Sequence, residues 1–85
     1  MSAHTRQRVA AAFGASLRSA RRTQGISQDR LGDLCEFDRT YPSLLERGLR
    51  QPTLHTILRL AASLRIEPEW FVTDTKRRLR VGGAS

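Results

Sequence analysis

The sequence predicts an all-α protein, a compact bundle of five helices in one domain. Two observations carry this. Apolar residues recur at spacings of three and four along most of the chain, and no stretch alternates as a strand would. Helix-opening and helix-closing residues punctuate that pattern at short intervals. With 85 residues there is room for a single core and little more.

The first helix is expected from Arg6 to Gln24, with Thr5 as N-cap and Gly25 as its terminator. Val9, Phe13, Leu17 and Ala20 form its apolar stripe. Ser27 caps a second, short helix whose apolar side is Leu31, Leu34 and Cys35, and which ends near Cys35 because Asp38 is the next cap. A third runs from Arg39 to Arg47 and closes at Gly48, with Pro42 and Leu45 inward. Pro52-Thr53 opens a fourth from Leu54 to Leu64, burying Leu54, Ile57, Leu58, Ala61 and Leu64. Pro68 starts a last short helix bearing Trp70 and Phe71. Phe13, Phe37, Trp70 and Phe71 are expected in the core. The division that follows is a flexible N-terminus over 1–5, a folded domain over 6–72 and a basic, loosely ordered tail over 73–85.

Composition narrows the function. Fifteen Lys and Arg against eight Asp and Glu give a formal charge of +7, and all but one of the cations are arginine. Such a surface favours a polyanionic partner, because guanidinium pairs bidentately with phosphate and with base edges. Charge alone leaves open a mere compositional preference. The single Cys35 cannot form an intramolecular disulfide, and no signal-peptide pattern or membrane-length apolar run is visible. The expectation is a cytoplasmic protein with no membrane association. His4, His55 and one cysteine make no recognisable metal site, and no nucleophile–base pair converges, so neither an enzyme nor a cofactor is expected.

Two helices of about eight residues joined by three or four have the spacing of a helix-turn-helix. The outer side of the third helix then carries Arg39, Thr40, Ser43, Leu44 and Arg47. Arg39 matches guanine O6 and N7, Thr40 can donate or accept, and Leu44 suits either a thymine methyl or packing beside the fourth helix. Gln28, at the N-terminus of the second helix, is placed for a phosphate, and Arg47, Arg50 and Gln51 for a second phosphate strand. Tyr41 either bonds a phosphate or packs. Glu46 is expected to lean toward Arg21 and form an ion pair that locks the reading helix to the scaffold.

The run Leu17-Arg18-x-x-Arg21-x-x-x-Gly25-Ile26-Ser27-Gln28-x-x-Leu31-Gly32, followed by Asp38-Arg39-Thr40-Tyr41-x-Ser43-x-Leu45-Glu46-Arg47-Gly48 and Arg50-Gln51-Pro52-Thr53-Leu54-x-x-Ile57, resembles the Cro/CI-type helix-turn-helix (XRE) family. The resemblance covers residues 13 to 72, and the Asp-Arg-Thr-Tyr and Glu-Arg-Gly segments are similar to restriction–modification controller proteins. It implies a lambda-repressor-like fold. It also implies a homodimer on a pseudo-palindromic double-stranded DNA operator, with half-sites about 34–36 Å apart. By position it makes Gln28 a phosphate clamp, Arg39, Thr40, Ser43 and Leu44 base readers, and Arg21 with Glu46 an internal ion pair. It implies a small residue at Gly32 for a close helix crossing. The fifth helix is where the family dimerises, which nominates Leu60, Leu64, Ile66, Trp70 and Phe71.

Three departures stand out, the first being Leu44, which replaces what is often a polar base-reading residue in the family and shifts recognition toward methyl contact or DNA shape. Glu36 occupies a turn position where the family has a left-handed glycine. Pro42, about four residues into the expected third helix, removes an N–H aimed at the Asp38 carbonyl and clashes with it. The reading that follows is a transcriptional regulator, autoregulatory in the manner of its family and able to contact RNA polymerase. The competing reading is a DNA-binding antitoxin or partner-controlled regulator that docks another protein through its C-terminal helices.

Overall fold

The computed structural model describes residues 3–82. Five helices follow one another: α1 (Ala3–Thr23), α2 (Gln28–Cys35), α3 (Tyr41–Glu46), α4 (Leu54–Leu64) and α5 (Pro68–Gly82). α1 packs along both α5 and α3, and α2 and α4 close the other side. Phe13 and Leu17 from α1, Leu31 and Cys35 from α2, Leu45, then Leu60 and Leu64, and finally Phe71 meet in one core. The rings of Phe13 and Phe71 stand 5.3 Å apart at its centre.

Local chemistry sets the boundaries. The Oγ of Ser27 accepts the Arg30 N–H at 3.0 Å, and that of Thr53 accepts the Thr56 N–H at 3.0 Å, fixing the starts of α2 and α4. α1 ends into Gly25 at φ +70°. Thr5 is not its cap, because the helix already includes Ala3.

α3 is shorter than the sequence suggests. The Asp38 carboxylate accepts both the N–H and the hydroxyl of Thr40, at 2.9 and 2.7 Å, and Tyr41 N–H bonds the Asp38 carbonyl at 3.0 Å. This turn delays the helix to Tyr41, leaving Arg39 and Thr40 ahead of it. Pro42 then falls in the first turn, where no helical N–H partner is needed, so the expected clash does not arise. Instead Pro42 is fully buried. The hydrogen bonds of Thr40 also hold the Asp38 carboxyl below the usual aspartate range.

On α4 the buried residues are Thr56, Leu60, Ala61 and Leu64. Leu54 and Leu58, expected inside, are 72% and 49% exposed because α4 is apolar over a wider arc than its neighbours cover. Phe37 is half-buried, edge-on to Tyr41 at 5.1 Å, and Trp70 stands partly exposed against Phe71.

The largest revision concerns the C-terminus. The chain from Thr73 is a continuation of α5 as far as Gly82, and residues 83–85 lie outside the described residues, as do residues 1 and 2. Residues 3–5, expected to be flexible, are part of α1. Asp74 is buried against α1 and accepts from Arg77 at 2.6 Å and Arg78 at 2.7 Å, pairs that only a helix brings together. Burial pushes the Asp74 carboxyl up, but hydrogen bonds from Arg78 and Arg77 outweigh it and hold the group below its ordinary value. The stabilisation is therefore complete above the unfolded aspartate value and is lost as pH falls through the lower folded one. Asp74→Asn is expected to cost about 1–3 kcal/mol at pH 7. It should also flatten the acid limb of stability below about pH 4, checked by urea unfolding across that range.

Candidate nucleic-acid interface

α2 and α3 are held together by one carboxylate. Glu46, at the end of α3, is almost fully buried and accepts Arg21 Nε at 2.6 Å and Arg21 Nη2 at 3.0 Å. A third donor, Gln28 Nε2, bonds Glu46 at 3.0 Å from the start of α2. Arg21 Nη1 reaches the Ile26 carbonyl at 2.9 Å. One cluster thus ties α1, the loop before α2, α2 and α3 together. The hydrogen bond to Glu46 raises the Arg21 pKa, against a smaller opposing effect of burial, so the guanidinium stays charged. Sequence reasoning paired Arg21 with Glu46 but missed the bond to Gln28, whose amide is anchored by it at the N-terminus of α2.

Two glycines let α1 lie this close. A Cβ on Gly14 would stand 2.4 Å from the Leu45 carbonyl oxygen and 2.6 Å from that of Glu46. Gly48, at φ +72°, meets the backbone of Ala11. Gly32, nominated for a close crossing, would keep an ordinary 3.5 Å from Pro42 Cγ, so α2 and α3 do not require a glycine there.

In front of α3, Arg39 is 85% exposed on its side chain and 3.7 Å from the exposed Asp29. Thr40 is exposed, and Ser43 and Leu44 are half-buried on the same short helix. Tyr41 places its hydroxyl 3.3 Å from Thr56 Oγ1, which favours packing over phosphate contact. Arg47, Arg50 and Gln51 are exposed beyond the C-terminus of α3. Gln51 Nε2 donates to the Arg6 carbonyl at 2.6 Å, and Gln7 Nε2 to that of Gly48 at 3.2 Å. These bonds draw the start of α1 onto the loop, forming a cleft of about 220 Å³ lined by Arg6, Arg50 and Gln51 among others. Arg6 was not singled out from the sequence, where nothing marks it from the other arginines.

Of the residues nominated for an interface between subunits, Leu60, Leu64 and Phe71 are completely buried in the core and cannot contact a partner. Ile66 and Trp70 remain accessible, and Leu54, Leu58, Val72 and Val81 are the larger apolar exposure on α4 and α5. Cys35 is buried, which pushes its thiol pKa up despite the Ser63 hydrogen bond and the charge of Arg59. Among the described residues no three His, Cys, Asp or Glu gather as a metal site, and no helix is long and apolar enough to cross a membrane.

A helix-turn-helix domain family matches residues 12–70, spanning α2, α3 and their supports. The chain belongs to this helix-turn-helix family. Its type within the family is Cro/CI, the type of the C-protein and XRE transcriptional regulators. The crystal structure of the restriction–modification controller protein C.AhdI from Aeromonas hydrophila superposes with a TM-score of 0.71 at 42% identity, covering 73% of this chain and 90% of that one. Control protein C.BamHI of Bacillus amyloliquefaciens is 34% identical, over 67% of this chain and 72% of its own. The HTH-type transcriptional regulator y4dJ of Sinorhizobium fredii is 36% identical, over 73% and 80%.

Proposed function

We propose that this regulator reads double-stranded DNA in a sequence-specific manner, as a homodimer on a pseudo-palindromic operator that includes its own promoter. The observation that carries the proposal is the Glu46 cluster. It holds α2 and α3 as one rigid piece on α1 while Arg39 and Thr40 project from its front. Arg39, Thr40, Ser43 and Leu44 then face base edges in the major groove. Gln28, Arg47, Arg50 and Gln51 meet phosphates on either side, with Arg6 added by the cleft it shares with Arg50. C.AhdI and C.BamHI are named as controllers, and the same role is proposed here.

The surplus apolar surface of Leu54 and Leu58, one turn apart on α4, supports dimerisation through that helix. Leu58→Asp is expected to shift sedimentation from dimer to monomer at micromolar protein while leaving the helical content intact.

The two classes of DNA contact separate in titrations of a duplex recovered from a randomised pool. Arg39→Ala is expected to cost about 1–3 kcal/mol on that duplex and to relax the preference at one base pair. Arg50→Ala is expected to weaken all duplexes alike and to reduce the salt slope by about one. Equal losses on every sequence for Arg39→Ala would remove it from the base readers.

An apolar cleft of about 440 Å³, which Ala20, Ile66 and Trp70 help to line, favours a second reading, a partner-controlled regulator. On that reading Trp70→Ala abolishes partner control but leaves the dimer and its operator affinity unchanged.

A further inference from the structure

The turn between α2 and α3 holds a conformation that its sequence does not favour. Glu36 lies at φ 57° and ψ 39°, in the left-handed region where a residue with a Cβ is strained. α4 supplies a clamp. Arg59 Nη2 donates to the Cys35 carbonyl oxygen and, at 3.1 Å, to Glu36 Oε1. The same guanidinium stands 6.0 Å from the centre of the Phe37 ring. From the other side, Cys35 Sγ lies 3.2 Å from Ser63 Oγ, one turn further along α4. Three consecutive turn residues are thus held by one side chain of a helix outside the reading unit. Arg39 follows Phe37 by two positions, so any rotation of this turn is carried to the front of α3.

We propose that Arg59 is a positioning residue for DNA reading: by clamping the strained turn it sets the angle at which Arg39 and Thr40 are presented. The inference rests on the DNA-binding function proposed above. Arg59 acts through the turn, because its hydrogen-bond partners are Cys35 and Glu36.

The test compares the unsubstituted protein, Arg59→Met and Arg59→Met combined with Glu36→Gly. Each is titrated with a pool-selected duplex and a scrambled one over a range of salt, below the melting temperature of every variant. Amide hydrogen exchange of the free proteins is read in parallel. Arg59→Met should speed exchange at the Glu36 and Phe37 amides, which bond Asp33 and Gly32 across the turn. Its preference for the selected duplex should fall about tenfold, with scrambled-duplex affinity and salt slope unchanged. Glu36→Gly should restore the preference, since glycine takes a positive φ without a clamp.

Two results overturn the proposal. One is an unaltered preference in folded Arg59→Met. The other is an equal loss on both duplexes with the salt slope reduced by about one, which makes Arg59 a phosphate contact. If Arg59→Met does not fold, Arg59→Lys keeps the charge without the planar fork, and an unaltered preference there overturns it equally. An unsubstituted protein that prefers neither duplex defeats the DNA-reading function itself, and the inference with it.

Discussion

Glu46→Ala is expected to destabilise the protein by about 3–5 kcal/mol, a large part of the margin of so small a domain. The carboxylate is 3% exposed and takes three hydrogen bonds, two from Arg21 and one from Gln28. Its removal strands a guanidinium whose side chain is only 11% exposed and whose remaining hydrogen bond goes to the Ile26 carbonyl. Most of the loss comes from that uncompensated buried charge rather than from the pair's own attraction. The double variant Arg21→Met with Glu46→Leu should therefore recover much of the lost stability in urea unfolding. It should not recover operator binding, because Gln28 has lost the anchor that fixes its amide at the front of α2. If the double variant is as unstable as the single one, the cluster contributes through its hydrogen-bond geometry and not through charge compensation.

Gly14→Ala and Gly32→Ala should move stability in opposite directions. By helix propensity alone, alanine gains about 1 kcal/mol at either site. At Gly14 the new methyl would meet the carbonyl oxygens of Leu45 and Glu46 at 2.4 and 2.6 Å. These are backbone atoms with no rotamer to adopt, so α1 must shift off α3. Overpacking of this kind costs about 1–3 kcal/mol, and contacts this short lie at its upper end. The net expectation is a loss of about 2 kcal/mol. The displacement also pulls Arg21 and Glu46 apart, so operator affinity falls with stability. At Gly32 the methyl would meet nothing closer than Pro42 Cγ at 3.5 Å, and the propensity gain survives at about 0.5–1 kcal/mol. Thermal unfolding of the two variants beside the parent decides the matter, and a stabilised Gly14→Ala would contradict the α1–α3 packing.

Where a feature is local, the sequence shows it. Ser27 and Thr53 are side-chain caps with no long-range requirement, and α2 and α4 begin where those residues place them. Five helices in this order are legible for the same reason. Glu36 at a positive φ is legible as a departure from the family pattern. Asp38 was readable as a cap, but its double acceptance from Thr40 delays the start of α3 by two residues, and only that geometry makes Pro42 harmless. The four cations from Lys76 to Arg80 imitate a solvated tail. What holds them in a helix is tertiary, namely Asp74 buried against α1 and Phe71 in the core. Leu54 and Leu58 fit the apolar pattern of α4 as well as Leu60 does, and periodicity has no means of telling which arc its neighbours cover.

At the interface, charge chemistry brings Arg21 to Glu46 from the sequence alone. The anchoring of Gln28 and the approach of Arg6 to Arg50 depend on how the helices cross. Gly14 did leave a signal, an isolated glycine inside a strongly helical stretch, which points to close packing. Arg59 left none, because one exposed-looking arginine among fourteen carries no pattern.

The central claim is that α2 and α3 read a specific duplex from two subunits at once. The most direct measurement is selection from a randomised duplex pool at near-physiological salt, followed by sequencing of the retained fraction. An inverted repeat with half-site centres about 10 base pairs, one helical turn, apart is the predicted result. Retention that collapses with salt and enriches no sequence would contradict it, leaving the arginines as a source of non-specific attraction alone.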